Sequence, residues 1–366
     1  MDKKRGYYIH FDGTKTSGVA KKIEMQMGEL QKISVIEEVV VEDIPRNLFQ
    51  RIIGLFPTAS ISRKYDEALR KIENPDYLYI RRTVADKGYI DFLQKLKEKY
   101  PACKVIVEIF TYPYDRDSFA RWDAWPFYFK ELIYRKNLKK SIDRFVTYSN
   151  DKEIFGIPCI CTMNGVDTKL ILPIQKHERT GGEIRLLAVA NFQRSHGYER
   201  ILKGIYKYNG KRKIVLDLVG DGKELPKYER LIKKWDLEDR VHLYGRKSRE
   251  DLEEFYEQAD IALAAFGLYK VGIRSISTLK TSEYMAKGIP IMSGCGERAF
   301  ENSELPYFKE FPNDKKEIDM KEVVDFYDDI CRYKEEEVIS QIRAYAEEKI
   351  SIRKVLQPVI DYIMEN

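Results

Sequence analysis

Short apolar segments alternate with amphipathic segments along most of this chain. The apolar segments predict strands at residues 7–11, 33–41, 77–80, 105–109, 145–148 and 159–163, and then at 184–190, 213–219, 241–244, 261–265 and 289–292. Several are continuous apolar runs rather than alternations, as is typical of parallel strands that are buried on both faces. Helical periodicity fills the intervals between them. The order of elements therefore predicts an α/β fold with doubly wound parallel sheets.

A segment rich in helix-breaking and charged residues separates the two sets of strands. It covers residues 170–183 and includes Pro173, the charged stretch 176–179 and the pair Gly181-Gly182. We predict two similar Rossmann-like domains, over residues 1–170 and 171–345, followed by a C-terminal helix over residues 346–366. Apolar residues at helical spacing support that last helix.

Length and composition agree with this division and exclude several classes of protein. At about 100–200 residues per domain, a chain of 366 residues suggests two domains. A hydrophobic fraction of 43% that includes 12% aromatic residues excludes a disordered chain. The net charge of +5 is too small to indicate a protein that coats nucleic acid, so we expect no nucleic-acid partner.

Cysteine and histidine usage points to a reduced compartment and away from a metal site. The five cysteines are an odd number, and the four histidines do not pair at metal-ligand spacing. The N-terminus lacks the apolar core of a signal peptide, and no apolar run approaches the ~20 residues of a membrane helix. We expect a cytoplasmic protein without a bound metal, either soluble or peripheral at the inner face of the membrane.

Two glycine-containing loops follow predicted strands and could bind an anion at a helix N-terminus. The spacing from Gly13 to Gly18 mimics a phosphate-binding P-loop, but Val19 and Ala20 stand where that motif needs Lys followed by Ser or Thr. A P-loop ATPase is therefore rejected, and an anion site and an ordinary turn are equally favoured. The loop Val-Gly-Asp-Gly at residues 219–222 lacks a third glycine, so a tight turn is the better interpretation there.

A third segment, residues 275–290, reads as one helix with a possible phosphate contact. Ser277 can cap this helix, and Gly288 can end it. Lys280 and Glu283 share a face near its start, where a cation can meet a phosphate and a carboxylate can bind a vicinal diol. A solvated helix with a Glu283–Lys287 ion pair is the favoured alternative on spacing alone.

Residues 121–145 combine aromatic and basic side chains. The aromatic residues are Trp122, Trp125, Phe127, Tyr128 and Phe129, and the basic residues after them are Lys130, Arg135, Lys136, Lys139, Lys140 and Arg144. This combination is typical of a helix that lies on an anionic membrane surface. The favoured alternative is a buried aromatic face with a solvated basic edge.

Six pieces of the sequence, taken in order, resemble the retaining glycosyltransferases of the GT-B fold, family 4. They are Asn-Gly-Val-Asp at 164–167, the segment 187–200, Gly-Asp-Gly at 220–222, Val-His-Leu-Tyr-Gly at 241–245, the segment 252–265 and Lys-Thr-Ser-Glu-Tyr-Met-Ala-Lys-Gly-Ile-Pro at 280–290. The match spans nearly the whole chain and is most specific in the last piece. Residues 108–115 are similar to a branch associated with bacterial surface polysaccharides. That branch also favours His-Gly-Tyr-x-Arg, seen at 196–200, and Leu-Lys-x-x-Glu-Tyr, seen at 279–284.

The resemblance implies two Rossmann-like domains facing across a cleft, with a C-terminal helix that crosses back to the first. It implies transfer of a sugar from a UDP- or GDP-linked donor to an acceptor hydroxyl with retained configuration, without a metal or other cofactor. The first domain is then the acceptor domain, the second is the donor domain, and the two close to exclude water. The acceptor is expected to be a saccharide or a lipid-linked saccharide, as in polysaccharide synthesis.

The resemblance also assigns roles to individual residues. The implied catalytic residues are Lys280, Arg194 and Glu283. The implied donor-binding residues are Gly18, Asn191, His196, Gly220, Gly245, Arg246, Arg274, Ser275, Ser277 and Glu283. The implied acceptor-binding residues are Arg81, Glu108, Tyr112, Tyr114 and Asp115.

The sequence departs from the family pattern at three positions. Members often carry two glutamates eight residues apart, but here Ser275 stands at the first position and Glu283 at the second. Asn191 and His196 replace the usual Arg and Lys of the segment that opens the second domain. Two further hypotheses therefore stand beside a glycosyltransferase: a non-catalytic binding or scaffold subunit, and a sugar-nucleotide epimerase of similar architecture.

Overall fold

A computed structural model of the chain describes residues 3–11, 17–42, 54, 56, 63–120, 124–175 and 182–365. The chain folds into two compact units. The first comprises Met1–Met163 together with Val355–Asn366, and the second comprises Asn164–Lys354. The first unit therefore ends at Met163 rather than at residue 170, and the C-terminal part joins it from Val355 onwards.

The first unit is built around a seven-stranded sheet. Its elements are β1 (Lys4–Phe11), α1 (Ser17–Leu30), β2 (Ser34–Val41), α2 (Arg63–Arg70), β3 (Tyr77–Arg81), α3 (Lys87–Lys99), β4 (Lys104–Ile109), α4 (Asp115–Ala120), α5 (Trp125–Tyr134), a 3-10 helix (Arg135–Lys140), β5 (Arg144–Thr147), β6 (Glu153–Ile154) and β7 (Ile157–Cys161). The strand order is β2-β1-β3-β4-β5-β7-β6, and only the β6–β7 pair is antiparallel within the described sheet. The β3 strand is buried along its whole length, as its continuous apolar run predicts.

The second unit contains a six-stranded sheet whose pairs are all parallel in the described part of the chain. Its elements begin with β8 (Glu183–Asn191), α6 (Glu199–Lys207), β9 (Lys213–Asp221), α7 (Leu225–Lys234), β10 (Val241–Leu243), α8 (Arg249–Gln258), β11 (Ile261–Leu263) and a 3-10 helix (Leu268–Lys270). They continue with β12 (Ser275–Ile276), α9 (Leu279–Lys287), β13 (Ile291–Ser293), β14 (Gly296–Glu297), a 3-10 helix (Arg298–Phe300), β15 (Phe308–Glu310), α10 (Met320–Ile330) and α11 (Glu335–Ile350). The order of the large sheet is β10-β9-β8-β11-β13-β15, and β12 pairs with β14 separately.

The last helix, α12 (Ile352–Met364), packs on the amino ends of the strands in the first sheet. Lys4, at the start of β1, donates a hydrogen bond to the carbonyl oxygen of Ile363 over 2.5 Å. Lys104, at the start of β4, donates to the carbonyl oxygen of Tyr362 over 2.8 Å. The guanidinium of Arg144 lies 4.8 Å from the centre of the Tyr362 ring. The C-terminal helix thus packs on the first unit, as the fold prediction expected, and the contacts place it at the amino edge of the sheet rather than at the carboxyl edge.

The strand order fixes where a ligand site is expected in each sheet. In the first sheet, β2 and β3 lie on opposite sides of β1, so the direction of winding reverses between β1 and β3. In the second sheet, β9 and β11 lie on opposite sides of β8, so the reversal falls between β8 and β11. At such a point the loops leave the sheet in opposite directions and open a crevice outside the carboxyl ends of the strands.

Candidate functional site

The crevice of the second unit is formed by the loops that follow β8 and β11. The β8–α6 loop passes so close to the β11 loop that a Cβ atom on Gly197 would lie 2.5 Å from the backbone nitrogen of Gly267. Gly197 also has a φ of +63°, a conformation that glycine adopts without strain. The backbone nitrogen of Phe266 donates to the carbonyl oxygen of His196 over 2.7 Å, which fixes the two loops together.

The loop after β8 places His196 and Tyr198 in stacked contact. Their ring centres are 5.7 Å apart and their planes differ by 7°. The Nδ1 atom of His196 accepts a hydrogen bond from the backbone nitrogen of Gln193 over 2.9 Å. Burial and the nearby charge of Lys280 lower the pKa of His196 to about 2. His196 is therefore a neutral acceptor and does not supply the charge expected of the basic residue that it replaces.

The Lys280 amine lies at the crevice itself. Its Nζ atom donates to the hydroxyl oxygen of Tyr198 over 2.9 Å and to the carbonyl oxygen of Ala264, just after β11, over 2.8 Å. The Tyr198 hydroxyl in turn donates to the carbonyl oxygen of Ala264 over 3.0 Å. Lys280 is thus the cation that α9 brings to the reversal point between β8 and β11.

The start of α9 differs from the sequence prediction. Thr278 is the N-cap, and its hydroxyl accepts from the backbone nitrogen of Thr281. Ser277 is buried instead, where its hydroxyl accepts from the backbone nitrogen of Asn164 over 2.8 Å. The prediction that Ser277 caps this helix is therefore wrong, because that hydroxyl is used to hold the Asn-Gly-Val-Asp segment. Gly288 ends the helix with a φ of +80°, as predicted.

A carboxyl group that the sequence analysis missed lies beside Lys280. Strand β14 pairs with β12 so that Gly296 lies opposite Ser275, which brings Glu297 into the site. Burial lowers the pKa of Lys280 to about 7, although the charge of Glu297 opposes this change. Burial likewise raises the pKa of Glu297 to about 8 against the charge of Lys280. No local sequence signal could have found Glu297, because a two-residue strand pairing brings it there.

Glu283 is half-buried on α9, one turn beyond Lys280. After burial, its charge is the largest cause of the raised pKa of Tyr256. Lys287 is buried and forms its ion pair with Glu253 of α8. The alternative interpretation of a solvated helix held by a Glu283–Lys287 pair is therefore not what the structure shows.

The remaining predicted donor residues surround the same edge of the second sheet. Asn191 ends β8 and is exposed, and its side-chain oxygen accepts from Gln193. Gly220 lies at the end of β9, where a Cβ atom would come within 1.9 Å of the carbonyl oxygen of Ala190. The backbone nitrogen of Gly220 donates to the carbonyl oxygen of Gly245 over 2.7 Å. Gly220 therefore allows the end of β9 to approach the end of β8 closely, and its backbone hydrogen bond joins it to the loop after β10.

Three predicted cations differ in their surroundings. Arg194 and Arg274 are exposed on the loops that follow β8 and precede β12. The side chain of Arg246 is 78% exposed and approaches Asp221 at 3.4 Å. In contrast to these three arginines, Lys280 has an amine that hydrogen bonds hold at the crevice.

Ser275, another predicted donor residue, is half-buried in β12.

In the first unit, Arg81 and Glu108 belong to a buried polar network at the carboxyl ends of β3 and β4. Glu108 is 0% exposed. Its carboxylate accepts from Lys22 over 2.8 Å and from Arg81 over 3.3 Å. The other donors to it are Tyr79, Gln26 and Tyr148. Direct acceptor binding by Glu108 is therefore not what the structure shows, since protein groups already surround both of its oxygens.

The electrostatics of this network favour a charged carboxylate. Burial by itself would raise the pKa of Glu108, but the charges of Lys22 and Arg81, together with hydrogen bonds from Lys22 and Tyr148, outweigh it and lower the pKa to about 2. Gly18, in the first turn of α1, is exposed, and the loop before it from Gly13 to Thr16 lies outside the described residues.

The other predicted acceptor residues lie near a cavity of about 370 Å³ in the first unit. Tyr114 lines it, and its hydroxyl donates to Glu131 over 2.8 Å. Asp115 accepts from the Tyr128 hydroxyl over 3.0 Å. Tyr112 packs edge-on to Tyr114, with ring centres 6.2 Å apart. The complete lining is Arg82, Thr83, Val84, Phe110, Tyr114, Ser118, Ala124, Phe127, Tyr128 and Glu131.

Helix α5 contributes one face to this cavity and exposes another apolar face. The exposed apolar side chains of α5, with their exposed fractions, are Trp125 (42%), Phe127 (48%), Phe129 (49%), Leu132 (37%) and Ile133 (52%), and Phe119 of α4 (63%) stacks on Trp125. The expectation of a buried aromatic face is therefore wrong for Trp125, Phe127 and Phe129, whereas Tyr128 is half-buried. Arg121 and Trp122, at the start of the predicted segment, lie outside the described residues.

The basic residues of this segment divide into two groups. Lys136, Lys139 and Lys140 are exposed. Lys130 is buried and donates to the carbonyl oxygen of Gly54, and Arg135 pairs with Asp115. Together with Arg144, which lies over Tyr362, these cations are held by the fold. Only part of the predicted basic face is therefore available to a partner.

A larger cavity, of about 630 Å³, lies elsewhere in the second unit. It is lined by the C-terminal part of α6, including Gly204 and Lys207, and by residues around the start of α10, including Ile318 and Met320. None of the predicted site residues lines it, so its size alone does not make it the candidate site.

Comparison with known proteins agrees with this geometry. Residues 173–293 match the family model of group 1 glycosyl transferases. The matched stretch contains β8, the crevice loops and α9, and it ends with β13. Among curated proteins, none matches this sequence significantly.

Three solved structures show the fold across nearly the whole chain. A glycosyltransferase from Rickettsia africae has a TM-score of 0.68 at 13% identity and covers 99% of this chain and 98% of its own. HepE of Anabaena in complex with UDP has a TM-score of 0.65 at 10% identity, with 98% and 99% covered. A sucrose-phosphate synthase from Thermosynechococcus elongatus has a TM-score of 0.67 at 14% identity, with 98% of both chains covered.

The predicted GT-B fold and the resemblance to group 1 glycosyltransferases are confirmed. The assignment to family 4 and to the surface-polysaccharide branch stays a prediction.

Two further features are absent from the described ranges of the chain. No helix there is long and apolar enough to cross a membrane. No group of three His, Cys, Asp or Glu side chains there is placed to hold a metal ion. That the reaction needs no metal remains a prediction.

We predict that Glu108→Gln destabilises the first unit. The substitution leaves the buried ammonium of Lys22 without its carboxylate, and breaking a buried ion pair from one side typically costs about 3–5 kcal/mol. The free energy of opening, measured by hydrogen exchange of peptides from the first sheet, should fall accordingly. In the wild type this contribution is present above the unfolded-state pKa of about 4.3 and is lost as the pH falls towards about 2, because the folded-state pKa is lowered.

Glu98→Gln is the matched control, since Glu98 is an exposed glutamate on α3. It should leave the opening free energy within about 0.5 kcal/mol of the wild type. If Glu108→Gln were as stable as this control, the network would not hold the sheet edge together.

Proposed function

We propose that this protein is a retaining glycosyltransferase of surface polysaccharide or glycoconjugate synthesis. It transfers a sugar from a nucleotide-diphosphate donor to an acceptor hydroxyl and needs no metal ion. The observation that carries the proposal is the amine of Lys280, fixed at the crevice between β8 and β11 by Tyr198 and Ala264. Helix α9 and both crevice loops lie within the stretch that matches the glycosyltransferase family model.

The chemistry follows from the charge that develops on the leaving group. When the bond between the anomeric carbon and the diphosphate oxygen breaks, negative charge grows on the diphosphate. A fixed cation in a site of low dielectric stabilises that charge more than it stabilises the donor. Lys280 is proposed for this role, with Arg194 or Arg274 as an additional cation, since both are exposed on adjoining loops.

Retention of configuration requires the acceptor oxygen to bond to the anomeric carbon on the face that the diphosphate leaves. We propose that the leaving phosphate oxygen itself takes the proton of the acceptor hydroxyl. One carbon–oxygen bond breaks, one forms, and the proton passes between the two oxygens. This route needs no covalent nucleophile from the protein.

The proposal is tested by a thermal-shift screen with UDP-, GDP- and ADP-sugars, followed by product analysis with and without a chelator. A UDP-sugar is the first candidate, because the structurally similar HepE was crystallised with UDP and with UDP-glucose. Binding only to the native state raises stability by about 2.7 kcal/mol at 100 times Kd. Donor turnover unaffected by the chelator is expected. Release of a free 2-epimer would favour an epimerase, and binding without any turnover would favour a scaffold subunit.

We predict that Glu283 binds the ribose of the donor nucleotide. Glu283→Gln keeps the size of the side chain but removes its charge, and a hydrogen bond to a charged group contributes about 1.5–3 kcal/mol. Calorimetry should therefore show UDP affinity reduced about ten-fold or more. Glu250→Gln, at an exposed position in the first turn of α8, is the control and should bind as the wild type does. Equal affinities in the two variants would remove this assignment.

We predict that Lys280→Ala lowers the rate of the chemical step more than it lowers acceptor affinity. The reason is that Lys280 faces the group on which charge develops during the reaction. Single-turnover kinetics with saturating donor would separate the two effects. Lys211→Ala, at an exposed position in the loop before β9, should be indistinguishable from the wild type. A wild-type rate in Lys280→Ala would mean that another residue supplies the cation.

We propose that the acceptor binds at the cavity lined by Tyr114 and Tyr128 in the first unit, where a saccharide would find both aromatic surface and hydrogen-bonding groups. Glu131 and Arg82 lie in the same wall and are joined by an ion pair. Phe127 of α5 lines the cavity and is itself partly exposed. An acceptor that carries a lipid would place its polar part in the cavity and its apolar part along this helix.

We further propose that α5 binds an anionic membrane surface. Its exposed apolar face includes Trp125, Phe129 and Ile133, and an exposed apolar patch of this kind typically marks an interaction site. Lys136 is exposed just beyond the same face, and Lys139 and Lys140 follow in the 3-10 helix. Apolar side chains flanked by cations complement the surface of an anionic bilayer better than that of a neutral one.

We predict that the protein sediments with anionic vesicles and not with neutral ones. Each lysine near an anionic surface contributes about 1 kcal/mol, and the interaction is screened by salt. The variant Lys136/Lys139/Lys140→Glu should therefore lose vesicle binding while remaining folded, and high salt should have the same effect on the wild type.

The matched control is Lys211/Lys233/Lys234→Glu, which makes the same change of charge at exposed positions of the second unit. It should still bind anionic vesicles, although more weakly because the total charge has changed. Wild-type protein that fails to bind either kind of vesicle would show that the exposed face of α5 serves another partner.

A further inference from the structure

The loop after β8 is tied to the segment after β11 through three consecutive carbonyl groups. They belong to Arg194, Ser195 and His196. Backbone nitrogens of the β11 segment donate two of the hydrogen bonds, over 3.0 Å to Ser195 and over 2.7 Å to His196. The third donor is a side chain, because the Nζ atom of Lys270 donates to the carbonyl oxygen of Arg194 over 3.2 Å. The whole turn is therefore held from one side.

Lys270 makes this contact from a largely buried position at the end of the 3-10 helix after β11. Only 11% of its side chain is exposed, and its amine also forms an ion pair with the carboxylate of Glu199, the first residue of α6. A Cβ atom on Gly267 would lie 2.8 Å from the same carbonyl oxygen of Arg194. One lysine thus joins the start of α6 to a peptide group that already lies close to the β11 segment.

A second lysine shares the Glu199 carboxylate but differs in its other contact. Lys227, in the first turn of α7, lies 3.0 Å from the Glu199 oxygen that also pairs with Lys270. Its amine donates to Glu224 over 3.1 Å. In the described ranges of the chain, Lys227 makes no hydrogen bond to the carbonyl groups of the loop after β8. The two lysines therefore separate the ion pair with Glu199 from the contact with Arg194.

The surroundings of Lys270 do not favour direct binding of an anionic ligand. Its amine is already bound by a carboxylate and by a carbonyl oxygen. Burial by itself would raise the pKa of Glu199, but hydrogen bonds and charges from Lys270 and Lys227 lower it, so the carboxylate is charged. Arg194, by contrast, is exposed and has no ion-pair partner among the described residues. Its guanidinium is therefore available to an anion, whereas its backbone is held by Lys270.

We propose that Lys270 is a positioning residue of the donor site, which holds the peptide group of Arg194 so that the guanidinium leaves the loop from a fixed point. The inference rests on the proposed function in naming Arg194 as a cation for the donor diphosphate. A fixed backbone reduces the conformational freedom that binding has to remove, so it raises affinity without a further contact to the ligand. The hold on the loop is itself a property of the ligand-free protein.

The first test measures hydrogen exchange in the ligand-free protein, in peptides that cover residues 192–198 and 264–268. Lys270→Met removes the donor and keeps an unbranched side chain. The loop should then open more often, and exchange in both peptides should become about five-fold faster or more, since local opening is controlled by the contacts that hold a segment. The fold should survive, because Glu199 retains Lys227 as its ion-pair partner.

The matched control is Lys227→Met, which removes the other lysine of the Glu199 carboxylate and leaves the contact with Arg194 in place. Its loop should exchange as the wild type does. Lys270→Arg keeps a charged donor and should restore much of the protection. Equal exchange in Lys270→Met and Lys227→Met would overturn the inference. Lys270→Gln takes the place of Lys270→Met if that variant does not fold.

The second test asks whether Lys270 acts through Arg194. Calorimetry measures UDP binding to the wild type, Lys270→Met, Arg194→Ala and the double variant. Lys270→Met should weaken binding about five-fold or more when Arg194 is present and should have little further effect in Arg194→Ala, because residues that act as a unit are not additive. Additive losses would contradict the inference, since Lys270 would then affect the ligand by another route.

UMP provides a readout that a merely structural role would not change. It lacks the terminal phosphate of UDP, so it offers less of the group that Arg194 is proposed to bind. Lys270→Met should therefore weaken UMP binding less than UDP binding. Equal losses for the two nucleotides would mean that the substitution disturbs the nucleotide site in general, and the positioning role would be refuted.

The two tests also separate this inference from the proposed function. Wild-type protein that binds none of UDP, GDP and ADP would count against a nucleotide-sugar site. The hydrogen-exchange comparison of Lys270→Met with Lys227→Met would still decide whether Lys270 holds the loop that carries Arg194.

Discussion

The candidate donor site depends on one constraint: a lysine amine is held where burial disfavours its charge. Lys280 reaches this position because α9 begins beside the crevice and because Tyr198 and the Ala264 carbonyl oxygen anchor the amine. The surrounding loops must approach closely to provide these contacts. Gly197 makes this possible, because a side chain there would collide with the backbone at Gly267. Gly294, after β13, is confined in the same way by the backbone of Phe266.

The two sheets resolve the conflict between burial and charge in opposite ways. In the first, Glu108 is surrounded by two cations and three neutral donors, and the attraction outweighs the cost of burial. In the second, Lys280 and Glu297 oppose one another's loss of charge, but burial prevails for both. A network whose charges are already satisfied stabilises the fold, whereas an incompletely satisfied pair remains able to respond to a ligand.

Helix α5 shows a comparable division of roles within one element. Lys130 and Glu131 are buried, and Glu131 accepts hydrogen bonds from Tyr114 and from the backbone of Ala85. At other positions of this helix, aromatic and aliphatic side chains remain exposed in the described part of the protein. The buried polar side chains fix the helix beside the cavity, so the apolar side chains are free for a partner. This arrangement inverts the usual distribution of polarity on a surface helix.

The sequence by itself determined the elements that depend on local pattern. Apolar runs predicted the main strands because each lies buried in a parallel sheet, and the motif from Lys280 to Pro290 predicted the α9 segment and its end at Gly288. The order of the motifs also predicted the GT-B fold.

Only the tertiary structure decided the features that depend on packing between residues distant in the chain. It placed Glu297 near Lys280 through a two-residue strand pair, and it enclosed Glu108 in a network drawn from α1, β3, β4 and the residue just after β5. It also engaged the Ser277 hydroxyl with Asn164. The physical reason is that periodicity reports which face of an element is buried, whereas the charge and hydrogen-bond partners of a buried side chain are set by residues that are distant in the chain.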